Sequence, residues 1–237
     1  MAKPSGLIVY ENKLIVLIAI IGKSSNRKTG NMIQTYILRR DRKPTEAIKD
    51  GSDSIICGNC PHRYNQETKR RTCYVNIGQG PNMVYKKYSQ NGYPRFNPKI
   101  HSKYFTGRML RIGSYGDPAV IPFRVWKYLL QFPKSHTGYT HQWEKADPRF
   151  KNIVMASCDN KADAIYAGIL GYRTFTVTSH DTQLRPIQSI NSIPCVSVTH
   201  GKQCEQCGLC NGNSKGMGKN IFIPAHGASK RFVLNLV

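Results

Sequence analysis

The second half of the chain alternates between short apolar strand patterns and stretches with helical spacing, and this alternation limits the fold more than any other feature. Strand patterns lie at 109–114, 136–141, 153–157, 173–177, 193–198 and 221–225. Apolar residues at helical spacing lie between strands, at 121–132 and 161–170. Because consecutive parallel strands need a crossover connection, this order predicts a parallel sheet. We therefore expect an α/β fold built on an open or partial (β/α) barrel-like parallel sheet.

The first half of the chain is less regular. Residues 7–21 predict a pair of strands, and residues 32–38 predict a third strand. The stretch 80–108 is rich in Tyr, Lys, Asn, Gly and Pro, which is typical of a long loop, and one short helix is expected near 84–88. No repeat or low-complexity segment marks a boundary. We predict a single α/β domain over 1–237 with an irregular basic, cysteine-containing insertion.

Six of the eight cysteines fall into two tight groups. Disulfide frameworks belong to oxidising compartments, and the chain shows no pattern of a secretion signal, so the grouping favours metal binding in a reducing cytosol. The most apolar run, 14–21, has eight residues, whereas a membrane-spanning helix needs about 20. We expect a cytoplasmic protein that does not bind or cross a membrane.

The later cysteines form the clearest motif. Cys204, Cys207 and Cys210 have the spacing C-x2-C-x2-C in a loop rich in Gly and Asn, and Cys195 precedes them on a predicted strand. A C-x2-C turn lets two thiolates point at one ion, and four such cysteines suit a [4Fe–4S] cluster or a tetrahedral Zn²⁺ ion. We predict a metal-binding loop at 195–210.

The earlier cysteines predict a second metal-binding loop, at 57–73. Cys57 and Cys60 form another C-x2-C pair, Cys73 follows them, and His62 stands two residues after Cys60. Zn²⁺ would take the three cysteines together with His62. An iron–sulfur cluster would take the three cysteines alone and leave one iron open. A catalytic metal needs an open position and a closed site is structural, but the spacing alone supports both metals.

The net charge indicates nucleic acid as a partner. The chain has 35 Lys and Arg against 13 Asp and Glu, a formal net charge of +22, which suits a partner rich in phosphate. In the basic loop region 62–108, cations alternate with Tyr and Phe, a composition that holds single strands by phosphate contacts and ring stacking. The predicted nucleic-acid-binding residues are Arg63, Lys69, Arg70, Arg71, Lys86, Lys87 and Arg95. The alternative is a solvated basic surface whose rings anchor the loop to the core.

Acidic residues are scarce, yet Asp117, Asp159 and Asp181 each follow a predicted strand. Ligand sites in α/β sheets lie at the carboxyl ends of the strands. We therefore predict Asp117 and Asp159 as catalytic residues, for general acid–base chemistry or for Mg²⁺, lining one cleft beside the earlier cysteines. For Asp159 the alternative is to cap the helical segment 161–170.

A set of short motifs runs along the chain from about residue 55 to residue 227. In order they are ICGNCPHR, TCYVNIGQGP, RIGSYGDP, YTHQW, MASCDNKADAIYAGILGYRTFTV, the C-x2-C-x2-C run and IPAHG. This succession resembles a group of uncharacterised bacteriophage-encoded proteins. The resemblance implies that the protein acts inside an infected bacterial host cell.

The layout is also similar, more loosely, to that of radical S-adenosylmethionine enzymes. Those have a partial (β/α) barrel, a three-cysteine cluster with one open iron, and often an auxiliary cluster near the C-terminus. Their motif is C-x3-C-x2-C, whereas this chain has C-x2-C-x12-C, so Cys57, Cys60 and Cys73 match in role only. The turn at Gly116-Asp117-Pro118 is similar to the family's glycine-rich contact with the methionine moiety. The resemblance implies S-adenosylmethionine as a cofactor.

Two functions are consistent with these patterns. The first is a phage-type metalloenzyme, an iron–sulfur radical-type protein that modifies nucleic acid or a nucleotide. The second is a non-catalytic, zinc-stabilised DNA- or RNA-binding protein used in phage replication or host takeover. Whether the protein is an enzyme depends on whether the earlier cysteines leave a metal position open beside a pocket.

Overall fold

The structure is a computed structural model that describes residues 3–225 apart from 25, 180–183, 186, 215 and 217. Its strands are β1 (Gly6–Glu11), β2 (Ile15–Ile20), β3 (Ile33–Arg39), β4 (Met109–Tyr115), β5 (Ser135–Thr140), β6 (Met155–Cys158), β7 (Thr174–Thr178), β8 (Ser192–Pro194) and β9 (Asn220–Pro224). Its α-helices are α1 (Pro44–Lys49), α2 (Ser54–Cys57), α3 (Gly80–Ser89), α4 (Pro98–His101), α5 (Phe123–Leu129), α6 (Lys161–Ile169), α7 (Val196–His200) and α8 (Cys204–Cys207). Among the described residues, no helix has the length and apolar character needed to cross a bilayer.

All of these strands belong to one sheet, in the order β1-β2-β3-β4-β5-β6-β7-β9-β8. The strands β1, β2 and β3 form an antiparallel meander. Every pairing from β3 onward is parallel. The strands β1 and β8 stand at the two edges, so the sheet is open and does not close into a barrel. The predicted α/β class with an open, largely parallel sheet is confirmed.

One strand prediction was partly wrong. The pattern at 193–198 ends as a strand at Pro194, and Val196–His200 forms α7 instead. The Cys195 N–H still donates to the Phe222 carbonyl at 2.9 Å, and the chain turns into the helix directly afterwards. Val and Thr favour strands only where their side chains pack against those of neighbouring strands. Cys195 therefore precedes a helix and does not lie within a strand.

The segment 62–108 is more ordered than an irregular loop. It contains α3, which includes the helix expected near 84–88, and it also contains α4. Most of its rings are core side chains, because Tyr93 and Phe105 are buried. Further rings pack against the same core, namely Tyr85, Tyr88, Phe96 and Tyr104. These rings anchor the segment to the sheet, as the alternative interpretation expected.

Side chains on the parallel strands alternate between two environments. On β4, Leu110 and Ile112 are fully buried in the main hydrophobic core. Arg111 and Gly113, on the opposite face, border a cavity. Because successive side chains of a strand point to opposite faces, the apolar packing of one face determines which residues line the cavity on the other.

The strands on either side of β5 approach its backbone closely at Gly138. A β-carbon there would lie 2.8 Å from Ile112 Cβ and 2.9 Å from Val154 Cγ1. We expect Gly138→Ala to lower the free energy of unfolding by about 1–3 kcal/mol, because neighbouring strands must move apart. The matched control is Gly168→Ala on α6, where no heavy atom lies within 4 Å of the added carbon. That variant should be neutral or gain up to about 1 kcal/mol. Urea unfolding measures both, and equal stability of the two would contradict this packing.

Candidate metal centre

A cavity of about 450 Å³ lies against one face of the parallel strands, and we call it the sheet cavity. Its size suits a small organic ligand. Side chains of six strands line it, among them Arg111 of β4, Tyr139 of β5, Phe175 of β7 and Ile223 of β9. Cysteines of both predicted metal-binding loops also border it: Cys57, Cys60, Cys73, Cys195 and Cys204. The fold therefore brings two distant sequence motifs to a single cavity.

The first cysteine group lies at the carboxyl edge of the parallel strands. Its members are Cys57, Cys60 and Cys73. The Asp117 N–H, directly after β4, donates to the Ile56 carbonyl at 2.7 Å. The Gln142 amide, after β5, donates to the Cys57 carbonyl at 3.2 Å. These contacts place the group where parallel sheets bind their ligands.

Burial disfavours the ionised form of two thiols in the first cysteine group, those of Cys57 and Cys73. Burial raises the pKa of Cys57 well above its ordinary value, and the nearby Asp53 carboxylate adds to this effect. Burial also raises the pKa of Cys73, although the Arg71 guanidinium opposes it. A metal ion replaces the proton of a thiol when it binds. Metal binding would therefore supply the positive charge that these buried sulfurs need as thiolates.

The second cysteine group is held against the sheet by three separate parts of the chain. Its members are Cys195, Cys204, Cys207 and Cys210. The Gly138 N–H of β5 donates to the Cys210 carbonyl at 2.9 Å. The Cys204 N–H donates to the Lys28 carbonyl at 2.8 Å, and the Cys195 N–H donates to Phe222 of β9. The group is thus fixed by strand contacts as well as by its own loop.

Cations and a phenol surround the second cysteine group. Burial raises the pKa of Cys204, while Arg111 and Lys28 act to lower it. Burial raises the pKa of Cys210 to about 12, against the effect of a hydrogen bond with Tyr139. Positive charge and a hydrogen-bond donor beside sulfur stabilise the thiolate form. This environment suits thiolates that carry a metal.

One possible ligand set is distinct from the cysteine groups. Among the residues that the structure describes, the one set of three His, Cys, Asp or Glu ligand atoms within 4.8 Å of one another is His62, His141 and Asp159. The kind of metal at the two cysteine groups, zinc or an iron–sulfur cluster, stays a prediction.

A group of polar side chains lies beside Cys60. His62 Nε2 is 2.8 Å from Asp159 Oδ1, and His62 Nδ1 is 2.8 Å from Thr72 Oγ1. His141 Nε2 is 3.6 Å from Asp159 Oδ2, and His141 Nδ1 is 3.5 Å from Cys60 Sγ. Both ring nitrogens of His62 have partners other than sulfur. His62 as a fourth zinc ligand stays a prediction.

The charges in this group are strongly coupled. Burial raises the pKa of Asp159, but the two histidines outweigh it and hold the pKa of this carboxyl well below its ordinary value. Burial lowers the pKa of His141, but Asp159 and Cys60 outweigh it and hold that pKa well above its ordinary value. The result is a carboxylate next to a histidine cation, which faces Cys60. The group could also hold a metal ion of its own, because two imidazoles and a carboxylate form a known ligand set.

Asp117 is fully engaged inside the protein. Its carboxylate accepts hydrogen bonds from the Thr140 hydroxyl at 2.7 Å, the His141 N–H at 2.8 Å and the Ala119 N–H at 2.9 Å. Burial raises its pKa, and these hydrogen bonds oppose that shift. Asp117 borders the sheet cavity, as predicted. Three hydrogen bonds suit a residue that positions its neighbours, and a catalytic role stays a prediction.

Asp159 borders a second cavity of about 130 Å³, which shares His141 and Ser157 with the sheet cavity. The two predicted catalytic acids therefore flank His141 and do not line one cleft together. Asp159 does not cap α6, because the side chain of Asn160 is the N-cap. Asp181 lies outside the described residues.

The predicted nucleic-acid-binding residues divide into two sets. Arg63 is turned inward and donates to Asp53 Oδ1 at 2.6 Å and to two backbone carbonyls. Arg71 donates to the Cys73 and Val75 carbonyls and borders the sheet cavity. The remaining five are exposed: Lys69, Arg70, Lys86, Lys87 and Arg95. For the exposed set the predicted role stays a prediction, and two of its members also have contacts within the protein, Lys87 with the Ser5 hydroxyl and Arg95 with Glu11.

Two functional features were not singled out from the sequence. The pairing of His141 with Asp159 follows from β5 and β6 being neighbours, because adjacent parallel strands end at the same edge. Arg111 lies within β4 between Leu110 and Ile112, both fully buried. An arginine inside an otherwise apolar strand pattern was the available signal for it.

The chain was compared with protein-family models, with curated proteins and with solved structures, and none of them matched it. Only the geometry and chemistry of the site therefore bear on the function.

The inward position of Arg63 leads to a test of stability. Its partner Asp53 is only 3% exposed, so removing the cation leaves a buried carboxylate unpaired. We expect Arg63→Met to lower the free energy of unfolding by on the order of 3 kcal/mol. The exposed Lys69→Met should change it by less than about 0.5 kcal/mol. Chemical denaturation compares them, and a fully stable Arg63 variant would show that the ion pair is not structural.

Proposed function

We propose that this protein is a metalloenzyme that holds an iron–sulfur cluster at each cysteine group and acts on nucleic acid or a nucleotide in the sheet cavity. The observation that carries the proposal is that both cysteine groups border that one cavity. A purely structural metal has no need of a cavity beside it, whereas a catalytic metal needs an open position that a substrate can reach.

The first cysteine group fits the role of the reactive centre. It offers three thiols, and the nearby His62 has Asp159 and Thr72 as partners. A cluster held by three thiolates would have one position free for a substrate, and the group borders the cavity. A cluster bound there would supply electron transfer or Lewis-acid chemistry. His141, with its pKa held high, places a proton donor beside Cys60. If the first cluster is of the radical type, S-adenosylmethionine would be its cofactor.

The second cysteine group fits an auxiliary or structural centre. It has four cysteines, enough to saturate a cluster, and Cys204 brings it to the edge of the same cavity. The place of action in this proposal is the cytoplasm of an infected bacterial cell. Thiols that bind metal must stay reduced, and the eight cysteines are free thiols that could do so in such a compartment.

A second candidate function is a zinc-stabilised DNA- or RNA-binding protein without catalysis. The net charge of +22 favours it, as do the five exposed cations of the segment 62–108. This alternative leaves the cavity beside both cysteine groups unexplained.

The metal content of cysteine variants tests the proposal. We expect anaerobically purified protein to be brown and to contain iron and acid-labile sulfide. Cys57→Ser and Cys207→Ser should each remove about half of both, since each disrupts one cluster. The matched control is Cys158→Ala, because Cys158 is fully buried in the hydrophobic core, its thiol donates to the Ala156 carbonyl and it belongs to neither group. Full iron in both serine variants would contradict the proposal, and colourless protein with zinc would establish the alternative.

Nucleic-acid binding has its own test. Replacing the exposed Lys69, Arg70, Lys86 and Lys87 with Gln should weaken binding to all sequences alike. Arg95 is left in place because it forms an ion pair with Glu11. The slope of affinity against salt should flatten by about 0.7–0.9 for each phosphate that the variant no longer neutralises. The control replaces four exposed cations elsewhere, namely Arg124, Lys127, Lys145 and Lys161. Equal weakening in both variants would show that total charge matters and that the segment is no binding track.

A further inference from the structure

Arg111 is a buried cation in the middle of β4 whose side chain borders the sheet cavity. It is only 6% exposed. Its guanidinium donates to Thr137 Oγ1 at 3.4 Å and to the Tyr74 hydroxyl at 3.2 Å. It also lies over the Tyr139 ring, 4.3 Å from the centroid. These partners are all neutral, so none of them balances the charge of the guanidinium.

The sheet cavity has more cations than available carboxylates. Among the described residues, no carboxylate lies within 4.0 Å of the charged group of Arg111, Lys28 or Arg71, which all border the cavity. The bordering acids are engaged, Asp53 in an ion pair and Asp117 in three hydrogen bonds. A buried charge without a partner is unfavourable. A bound anion would remove this cost.

On one side of Arg111 the cavity wall is apolar or aromatic. Phe175, Val177 and Ile223 line it from β7 and β9, and the ring of Phe175 lies 4.4 Å from that of Tyr139. Tyr74, whose hydroxyl accepts a hydrogen bond from Arg111, is 61% exposed and follows Cys73 directly. An apolar wall next to fixed polar groups is typical of sites that bind small organic molecules in a single orientation.

We infer that the sheet cavity binds an organic oxyanion, a phosphate or a carboxylate on a flat or apolar body, and that Arg111 binds the oxyanion. A guanidinium matches both groups, because it presents parallel N–H donors to two oxygens. The inference rests on the proposed function and names its substrate class, for which a nucleotide unit is the natural form. A nucleotide would place its charged group on Arg111 and its ring along the apolar wall.

A competing role for Arg111 is to balance the thiolates of the second cysteine group. Cys204 is close enough for Arg111 to lower its pKa. Lys28 acts on the same sulfur, so that group has a cation without Arg111. The two roles differ in a measurable way. Only the ligand-binding role makes affinity depend on the charge of a molecule in the cavity.

Binding to the metal-loaded full chain tests the inference. The probes are the four nucleosides, their 5′-monophosphates and their 5′-carboxylic acids, measured anaerobically by calorimetry. For at least one base we expect the anionic form to bind about tenfold or more tightly than the parent nucleoside, the effect of one charge-assisted contact. Whether the phosphate or the carboxylate gains more identifies the group. If no base shows an anion preference, the inference is wrong, although intact clusters would leave the proposed function standing.

Variants assign the preference to Arg111. Arg111→Gln should bind the neutral nucleoside as the natural protein does and lose the preference, whereas Arg111→Lys should keep part of it. Arg124→Gln, an exposed position on α5, should change neither. Iron content is measured in each variant. A preference that persists in Arg111→Gln overturns the inference. Loss of iron from Arg111→Gln, combined with no anion preference in the natural protein, would assign Arg111 to the second cysteine group.

Discussion

The hydrogen bond from the Asp117 N–H to the Ile56 carbonyl, 2.7 Å long, fastens the first cysteine group to the sheet. The same residue accepts hydrogen bonds through its carboxylate from the Thr140 hydroxyl and the His141 N–H. Asp117 thereby joins the cysteine loop, the end of β4 and the end of β5 into one corner. The first cysteine group is thereby fixed relative to the sheet cavity and to His141.

Buried thiols and cations lie close together in this site. Burial raises the pKa values of Cys57 and Cys204, because it disfavours the thiolate. Arg71 lowers the pKa of Cys73, and Arg111 and Lys28 lower that of Cys204, against the effect of burial. In the proposed function, metal-bound thiolates and an anionic ligand would neutralise these cations, and metal binding and ligand binding would therefore be coupled.

Much of the fold was accessible from the sequence, because strands buried in a parallel sheet appear as short apolar runs. The two errors share a physical cause, which is that tertiary contacts decide what local patterns leave open. The β-branched run after Cys195 became a helix, and the expected long loop contains α3 and α4, with most of the rings of the segment 62–108 packed against the core. Cysteine spacing identified both groups, but their common cavity depends on strand order. In the sequence, Arg63 does not differ from its exposed neighbours, because its ion pair with Asp53 forms only in the folded chain.

The central claim is that two metal clusters face one cavity, and anomalous diffraction from crystals of anaerobically purified protein tests it most directly. Data collected on either side of the iron absorption edge would locate each iron. The account predicts iron at both cysteine groups, one position beside Cys57, Cys60 and Cys73 and the other beside Cys204, with the sheet cavity between them. Iron at neither group, or a single zinc ion closed by four ligands away from the cavity, would contradict it.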